Sequence, residues 1–416
     1  MRRLAPLAAA VAAISVVLSG CSSGPDPIRV GAVYPLSGTQ GPGGVEEFQG
    51  VRLAADLVNE QGGLDGRTIE LVPIDVPGAD AAPGAIDALA KRGVRFVLGS
   101  YGSTISEPAG YEAFRDGLLF WETGAVGSMP GPGPGRLFFR VAPSGSVLGR
   151  AAVAFIAERL APLLHRNASS LRFAVAAVDD VYGNSVASGA VSEIRQLRLP
   201  FAGEFRYDAH RPDMPAVVRR IASARADVLF VSAYLEDGVA LRREIVRQRV
   251  PLLANIGTSS SYCMPAFGQA LGRGAVGVFA SDKPDANALN LGGLLPSARA
   301  LLERARTTYL ARYHQEMTAP ALSGFSAAWA LFRSVMPNAA ALTPGAVAAA
   351  ALNTRLPDGG LPNGSGLAFA RPGTPDAGAN LRAASVIWEW VGVDRRAVVW
   401  PRQFSTEPVR VIPFGS

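Results

Sequence analysis

Hydroxyl groups are concentrated in the segment that follows residue 99. The apolar run VRFVLG (94–99), which is typical of a buried strand, is followed by Tyr101, Ser103 and Thr104, with a further serine on either side. Side-chain oxygens and free backbone N–H groups at the start of a helix can hold a polar or anionic part of a ligand. The alternative is that Ser103 or Thr104 serves only as a helix N-cap. The four aliphatic hydroxyls exceed what one cap needs, so the cluster favours ligand binding.

A second polar segment follows the strand-like run LLFW (118–121). Glu122, Thr123, Ala125 and Val126 lie within the next five residues. Polar loops at the carboxyl ends of strands are where open α/β sheets bind their ligands. We expect Glu122 either to contact a cationic or amide group of a ligand or to be a solvated loop acid, and the sequence leaves both open.

Two tyrosines occupy corresponding places in the second half of the chain. Tyr182 follows the apolar run LRFAVAAV (171–178), and Tyr234 follows DVLFVSA (227–233). A tyrosine can wall a pocket with its apolar ring and place a polar hydroxyl at the edge. The alternative for either residue alone is ordinary packing. A further polar loop, residues 255–262, follows another probable strand pattern.

Enzyme and metal signatures are missing from the sequence. Its one G-x-S-x-G match, GCSSG at 20–24, follows the N-terminal apolar stretch and is no nucleophile elbow between a strand and a helix. The sequence contains no G-x-G-x-x-G after a strand and no Walker-type phosphate loop. Its three histidines lie far apart and outside metal-ligand spacings. The net charge of +6 is spread without a Lys/Arg block, which indicates no nucleic-acid surface. We therefore expect no enzyme, no metal and no cofactor.

The N-terminus has the features of an export signal. Two arginines precede a short apolar stretch, which ends in Leu18-Ser19-Gly20-Cys21. This ending resembles the lipobox of bacterial lipoproteins, in which the cysteine is lipidated and becomes the new N-terminus. The alternative is a plain secretory peptide. We expect a signal peptide and lipobox over residues 1–21, lipidation of Cys21 and a flexible tether over 22–27. The second cysteine, Cys263, then has no disulfide partner, and we expect it to be a small buried apolar side chain.

The remaining elements indicate an α/β fold. Hydrophobic strand patterns alternate with helical patterns from residue 28 onward, and the series recurs after a Pro/Gly-rich loop at 127–135. Such alternation predicts parallel sheets covered by helices on both faces. The chain ends in the strand-like pieces ASVIWEW (384–390) and AVVWP (397–401). Because these strands need a sheet to join, we expect two interleaved Rossmann-like domains.

The ordered set of these segments resembles the type I periplasmic solute-binding proteins of ABC transporters, in the group of branched-chain amino acid, amide and urea receptors. The resemblance is carried by IRVGAVYPLSG, NEQGGLDGR before IELVPID, VRFVLGSYGSTISEPA, VDDVYGNS, VLFVSAY and VIWEWVGVDRRAVVWP. It covers nearly all of the chain after the signal. It implies a hinged clamshell with three crossovers, near Val141, Asp282 and Leu361. The corresponding lobes are 28–141 with 283–361, and 142–282 with 362–416.

The resemblance also implies a set of solute contacts. The first lobe would hold the solute with the loop of Tyr101, Ser103 and Thr104 and with residues 122–126, and the second would close with Tyr182 and Tyr234. Two positions depart from the pattern of amino-acid binders. Val126 stands where a threonine is common, with Thr123 the nearest hydroxyl, and Ile256 falls near the place of the acidic ammonium partner. Glu122 or Glu236 could take that partner role, and Tyr101 is more similar to the amide receptors.

These observations predict a monomeric, lipid-anchored protein outside the cytoplasm that delivers a small polar solute, such as an amino acid or an amide, to ABC permease subunits. Two alternatives remain open at this point. One is a ligand-sensing receptor subunit of a signalling system, and the other is a secreted α/β hydrolase.

Overall fold

The strands of the protein form two sheets, each built largely from parallel strands. The computed structural model describes residues 25–128, 136–209, 213–374 and 376–412. The predicted signal peptide and the lipidated Cys21 lie outside the described residues. We call the five-stranded sheet with its helices the first lobe, and the seven-stranded sheet with its helices the second lobe. The predicted α/β class with two parallel-dominated sheets is confirmed.

The first sheet has the strand order β2-β1-β3-β4-β5, and all of its pairings are parallel. Its strands are β1 (Ile28–Tyr34), β2 (Ile69–Asp75), β3 (Phe96–Gly99), β4 (Leu119–Glu122) and β5 (Phe138–Arg140). The predicted strand at 94–99 therefore begins two residues later, and the predicted strand at 118–121 is shifted by one. As a result Glu122 is the last residue of β4 and lies inside the sheet.

The second sheet has the order β12-β11-β10-β9-β8-β6-β7. The first five strands in sequence are parallel to one another, whereas β11 pairs antiparallel with β10 and β12 pairs antiparallel with β11 at the edge. The strands are β6 (Phe173–Val178), β7 (Phe201–Tyr207), β8 (Val228–Ser232), β9 (Ala254–Thr258), β10 (Phe279–Asp282), β11 (Val386–Gly392) and β12 (Arg395–Trp400). The C-terminal strands β11 and β12 thus join a sheet, as the sequence pattern predicts.

Twelve α-helical segments lie within the described residues. They are α1 (Gly41–Glu60), α2 (Ala82–Lys91), α3 (Ser103–Arg115), α4 (Gly145–Phe155), α5 (Ala161–Leu163), α6 (Val181–Gln196), α7 (Met214–Ser223), α8 (Leu235–Arg247), α9 (Pro265–Leu271), α10 (Pro296–Tyr313), α11 (Ala319–Trp329) and α12 (Pro344–Asn353). The helix α4 continues into α5 through a π-helical turn. No helix in the described ranges is both long and apolar enough to cross a membrane.

Glycines allow α1 and α11 to pack with their backbones almost in contact. A Cβ atom on Gly50 would lie 2.0 Å from the carbonyl oxygen of Ala321, and one on Gly324 would lie 2.2 Å from the carbonyl oxygen of Glu47. Real Cβ contacts are never this short, so only glycine fits at these two positions. The contact fastens α11, which comes late in the chain, to the first helix of the first lobe.

The chain passes between the two sheets three times. It crosses after Arg140, the last residue of β5, and again after Asp282, the last residue of β10, before α10 and α11 return to the first lobe. The third passage lies between α12 and β11. Near it, Asn380 donates from Nδ2 to the carbonyl oxygen of Val141 over 3.1 Å, which joins the first and third passages. The residue limits of the two lobes remain a prediction.

Candidate functional site

The loop between β3 and α3 carries the predicted hydroxyl cluster. Ser103 is the first residue of α3, and Gly102 occupies the N-cap position without a side-chain cap. The alternative that Ser103 or Thr104 is only an N-cap is therefore wrong. The Ser103 Oγ instead accepts a hydrogen bond from the Gly127 amide at 2.9 Å, so it ties this loop to the one after β4. The Thr104 Oγ1 accepts from Gln40 Nε2 at 3.3 Å, next to the start of α1.

Tyr101 adopts a backbone conformation that is rare for a residue with a side chain. Its φ angle is +71°, in the left-handed region. A conformation of this kind costs free energy and persists where the surroundings enforce it, often at ligand sites. The ring lies over Gly43 at the start of α1, because a Cβ atom on Gly43 would be 2.2 Å from the ring carbon that bears the hydroxyl. Burial raises the pKa of Tyr101, and the neighbouring acidic groups, of which Glu47 has the largest effect, add to the increase.

Glu122 is buried and bonded to its own lobe, contrary to the prediction of a solvated loop acid. Its Oε1 accepts the backbone amides of Ser100 at 2.9 Å, Gly124 at 2.9 Å and Ala125 at 2.8 Å. The hydroxyl of Ser106 donates to Oε2. Burial raises the pKa of Glu122, while the Arg140 guanidinium opposes the rise. Because protein donors occupy both oxygens, the carboxylate shapes the two loops and is removed from our proposed solute contacts.

Thr123 is the centre of a second buried network. Its Oγ1 donates to Glu47 Oε1 at 2.6 Å and lies 2.8 Å from the Tyr34 hydroxyl. On the other side of this segment, Lys283 Nζ donates to the carbonyl oxygen of Gly124 at 2.9 Å. Burial raises the pKa of Glu47 to about 8, with the Lys283 ammonium opposing the rise and the Glu122 carboxylate adding to it. Thr123 therefore points into the first lobe, toward Glu47.

Tyr182 and Tyr234 form an aromatic pair at the carboxyl edge of the second sheet. Their ring centroids are 5.2 Å apart with an interplanar angle of 40°. The Tyr182 hydroxyl lies 2.9 Å from Thr258 Oγ1, at the end of β9, and burial raises its pKa to about 12. The Tyr234 hydroxyl donates to Asp180 Oδ2 at 2.6 Å. The other oxygen of Asp180 caps α6 by accepting the Gly183 amide at 2.8 Å, so one carboxylate fixes both the helix and the ring.

The loop after β4 meets the start of α6 in the other lobe. The carbonyl oxygen of Val126 accepts from the Ser185 hydroxyl at 3.4 Å, and a Cβ atom on Gly127 would lie 3.6 Å from Val181. Gly127 is the residue that bonds Ser103, and Val181 precedes Tyr182. The carboxyl edges of both sheets therefore face each other here. We call this region the lobe junction, meaning the loops that follow β3 and β4 and those that follow β6, β8 and β9.

Two predicted features of the second lobe differ in the structure. Ile256 lies inside β9, between Phe230 and Phe279 of the neighbouring strands, and is 1% exposed. Strand alternation places its side chain in the core, and Thr258 at the end of β9 is the residue that reaches the junction. Cys263 is buried as predicted, but its surroundings are polar, since the thiol donates to Asp282 Oδ2 at 2.7 Å.

An open pocket of about 420 Å³ lies beside the lobe junction, at the start of α1. It is lined by Leu36, Ser37, Gly38, Gly41, Pro42, Val45, Glu46, Gln49 and Gln315. Glu46 accepts from the Thr318 hydroxyl at 2.8 Å, and burial raises its pKa. Within the described ranges, no three His, Cys, Asp or Glu residues are arranged to hold a metal ion.

Glu47 and Lys283 are junction residues that the sequence analysis missed. Glu47 shares the helical spacing of the apolar stripe that contains Val51 and Val58, a pattern that places it on the buried face of α1. That spacing was the available signal for a buried acid. Lys283 could have been noticed because lysine is rare in this chain, which contains only two.

Comparisons with known proteins agree with this architecture. The profile of a family described as "Periplasmic binding protein" matches residues 27–382. The Leu/Ile/Val-binding protein homolog 8 of Brucella abortus is 26% identical over 367 residues, covering 87% of this chain and 88% of that protein.

Solved structures of two binding proteins have the same fold. A leucine-binding protein of Thermotoga maritima superposes with a TM-score of 0.73 at 15% identity, covering 89% of this chain and 97% of its own. A branched-chain amino acid transporter substrate-binding protein of Streptococcus pneumoniae, solved with isoleucine, gives 0.68 at 18% identity and covers 90% and 100%.

Proposed function

The chain belongs to the periplasmic binding protein family, and on that basis we propose that it binds a small polar solute at the lobe junction and delivers it to an ABC transporter. The observation that carries the proposal is the meeting of the two carboxyl edges, where Ser103 and Gly127 of one lobe face the start of α6 and Tyr182 of the other. In open α/β sheets, ligands bind outside the carboxyl ends of the strands. A site shared by two lobes is one that only the closed arrangement completes.

The proposed mechanism is reversible trapping. A solute that contacts Ser103 and the 123–127 segment on one side, and Tyr182 and Tyr234 on the other, has higher affinity for the closed arrangement than for the open one. Such differential affinity is what shifts a two-state equilibrium toward closure. The closed protein then docks on the permease, and the solute leaves chemically unchanged.

The proposed solute is an amino acid, an amide or a related small polar molecule. The name of the Brucella relatives makes leucine, isoleucine and valine the first probes. The similarity of Tyr101, two residues before Ser103, to the amide receptors supports including simple amides and urea. The Glu122 carboxylate is occupied by protein donors, so an ammonium group of the solute would need another partner, such as Glu236, which is exposed in the first turn of α8.

We further propose that the protein works outside the cytoplasm as a monomer, attached to the membrane through lipid on Cys21. Two or more acyl chains anchor a protein stably where one is marginal. Wild type, expressed in a bacterium that processes lipoproteins, should incorporate labelled palmitate, and the variant C21S should not. Equal labelling of C21S and wild type would count against the anchor.

A thermal-unfolding screen tests solute binding. The protein without its signal sequence is heated with each amino acid, with small amides and with urea. At a hundredfold excess over Kd, a true solute should stabilise the fold by about 2.7 kcal/mol. The variant S103A should lose most of this stabilisation, whereas S223A, which removes an exposed hydroxyl at the end of α7, serves as the matched control. If no probe shifts unfolding, or if S103A and wild type respond equally, the proposed site is wrong.

A further inference from the structure

The Thr123–Gly124 segment is held from two sides by buried ionisable side chains that come from different parts of the chain. Glu47, on α1, accepts the hydroxyl of Thr123. Lys283, in the passage that follows β10, donates to the carbonyl oxygen of Gly124. Neither residue is among the solute contacts proposed above. The segment itself leads directly to Gly127 and so to Ser103.

Glu47 fits closely against this segment. It is fully buried, and its Oε1 accepts the Thr123 hydroxyl at 2.6 Å. A Cβ atom on Gly124 would lie 1.8 Å from Oε2, so the carboxyl group occupies the space that any other residue at 124 would need. The backbone of Tyr101 also hydrogen-bonds to the Glu47 carboxyl, so Glu47 contacts both the loop after β3 and the loop after β4.

Lys283 connects the two lobes at the same point. It is 6% exposed and directly follows Asp282, the last residue of β10 in the second sheet, while its Nζ bonds to Gly124 of the first lobe. The chain contains 40 lysines and arginines, and only Lys91 and Lys283 are lysines. An ammonium is compact and donates in three directions, whereas the planar guanidinium needs more room. A lysine at this buried place is therefore a specific choice in an arginine-rich chain.

We propose that Lys283 and Glu47 are positioning residues that together fix the 123–127 segment in the geometry that binds solute. The inference rests on the proposed function and deepens it, since it makes solute affinity depend on an interlobe contact outside the solute pocket. Lys283 directly follows the last strand residue of β10 in the second sheet. A movement of the second lobe would therefore displace Gly124, and with it the Gly127 amide that bonds Ser103. Glu47 supports the segment from behind, so the two residues act on one loop.

The test compares wild type with K283M, K283R, E47Q and the K283M/E47Q double variant. K91M is the control because Lys91 is an exposed lysine. Hydrogen exchange of the amides from Gly124 to Gly127 is measured by mass spectrometry without solute, and the affinity for L-leucine, L-isoleucine and the other screened probes is measured by calorimetry. We expect K283M to accelerate exchange in this segment at least fivefold and to weaken solute binding about tenfold. K91M should match wild type in both measurements. The double variant should lose less solute-binding free energy than the sum of the losses in K283M and E47Q, because both residues hold the same loop.

Equal affinity and equal exchange of 124–127 in K283M and wild type would overturn the inference. So would a loss of exchange protection spread over the whole chain in both K283M and K283R, since that result would make Lys283 a general structural residue. Failure of the proposed function gives a different pattern, in which wild type binds no probe. The exchange comparison then still decides whether Lys283 and Glu47 position the loop.

Discussion

At the scale of single residues, the polar side chains near the lobe junction fall into two groups. Glu122 and Thr123 turn inward and bond to the first lobe, whereas Ser103, Tyr182 and Tyr234 lie where the two lobes meet. Residues of the first group should affect stability when they are changed. Those of the second should affect solute binding.

Glu122 provides a test of the first group. The variant E122Q places an amide where the carboxylate accepts three backbone N–H groups and one hydroxyl, so at least one buried donor loses its acceptor. We expect a loss of about 2–4 kcal/mol in the free energy of unfolding, measured by urea denaturation. The control is E236Q, because Glu236 is exposed on α8, and it should change stability by less than about 0.5 kcal/mol. Similar stabilities of the two variants would contradict the buried role of Glu122.

Glu47 gives the protein a predicted dependence of stability on pH. Burial raises the pKa of Glu47 to about 8, above the value of about 4.3 in an unfolded chain. Between about pH 4.3 and pH 8, Glu47 is therefore protonated in the folded state and ionised in the unfolded state. This contribution to stability is complete below about pH 4.3 and is lost as the pH rises through about 8, at no more than about 1.4 kcal/mol per pH unit.

The measurement is the difference in unfolding free energy between wild type and E47Q at pH 5.5, 7 and 8.5. Wild type should lose unfolding free energy relative to E47Q as the pH rises. Burial also raises the pKa of Glu389 to about 7, but that residue is present in both proteins and cancels in the difference. A difference that stays constant over this range would show that Glu47 does not titrate there.

The sequence predicts the places of the junction residues better than their orientations. Strand ends and helix starts follow from hydrophobic periodicity, which correctly puts Ser103 and Tyr182 at the carboxyl edges. The direction of a side chain depends on one residue of register and on what other segments supply. Glu122 shows this, because β4 extends one residue further than expected and its oxygens meet amides from two loops.

At the scale of elements, most strands and helices were predictable because their apolar faces are continuous. The stripe through Phe48, Val51, Ala55 and Val58 predicted α1, and all four residues are buried in it. The antiparallel direction of β11 and β12 could not be read locally, since it depends on how the chain returns from the third passage. The close helix contacts at glycine could not be predicted from the sequence either, because they depend on tertiary packing.

The packing of α4 against α6 makes a prediction about glycines. A Cβ atom on Gly189 of α6 would lie 2.2 Å from the carbonyl oxygen of Ser146, whereas one on Gly84 of α2 would meet nothing within 4 Å. The variant G189A should therefore destabilise the protein by about 1–3 kcal/mol through overpacking. The control G84A should stabilise it by up to about 1 kcal/mol, because alanine is the better helix former. Denaturant unfolding of both variants checks this, and equal effects would refute the close contact.

At the scale of the whole molecule, the three passages between lobes explain how distant segments form one site. Residues near 47, 124 and 283 are far apart in sequence but meet because α1 begins, and β4 and β10 end, at the facing carboxyl edges of the two sheets. Sequence periodicity predicted the alternating elements, the C-terminal strands indicated the interleaving, and the resemblance to binding proteins supplied the three crossovers. Neither could identify the contact between Lys283 and Gly124, which arises only when both lobes are placed together.

The central claim is that the protein holds one unaltered solute molecule between its lobes. Equilibrium dialysis against the solute that most stabilises the fold, followed by mass spectrometry of the recovered solute, tests it most directly. We expect saturation at one molecule per chain, full recovery of the solute unchanged, and at least tenfold weaker binding by Y182A, which removes the aromatic wall contributed by the second lobe. Conversion of the solute into product, or saturable binding that Y182A leaves intact, would contradict the account.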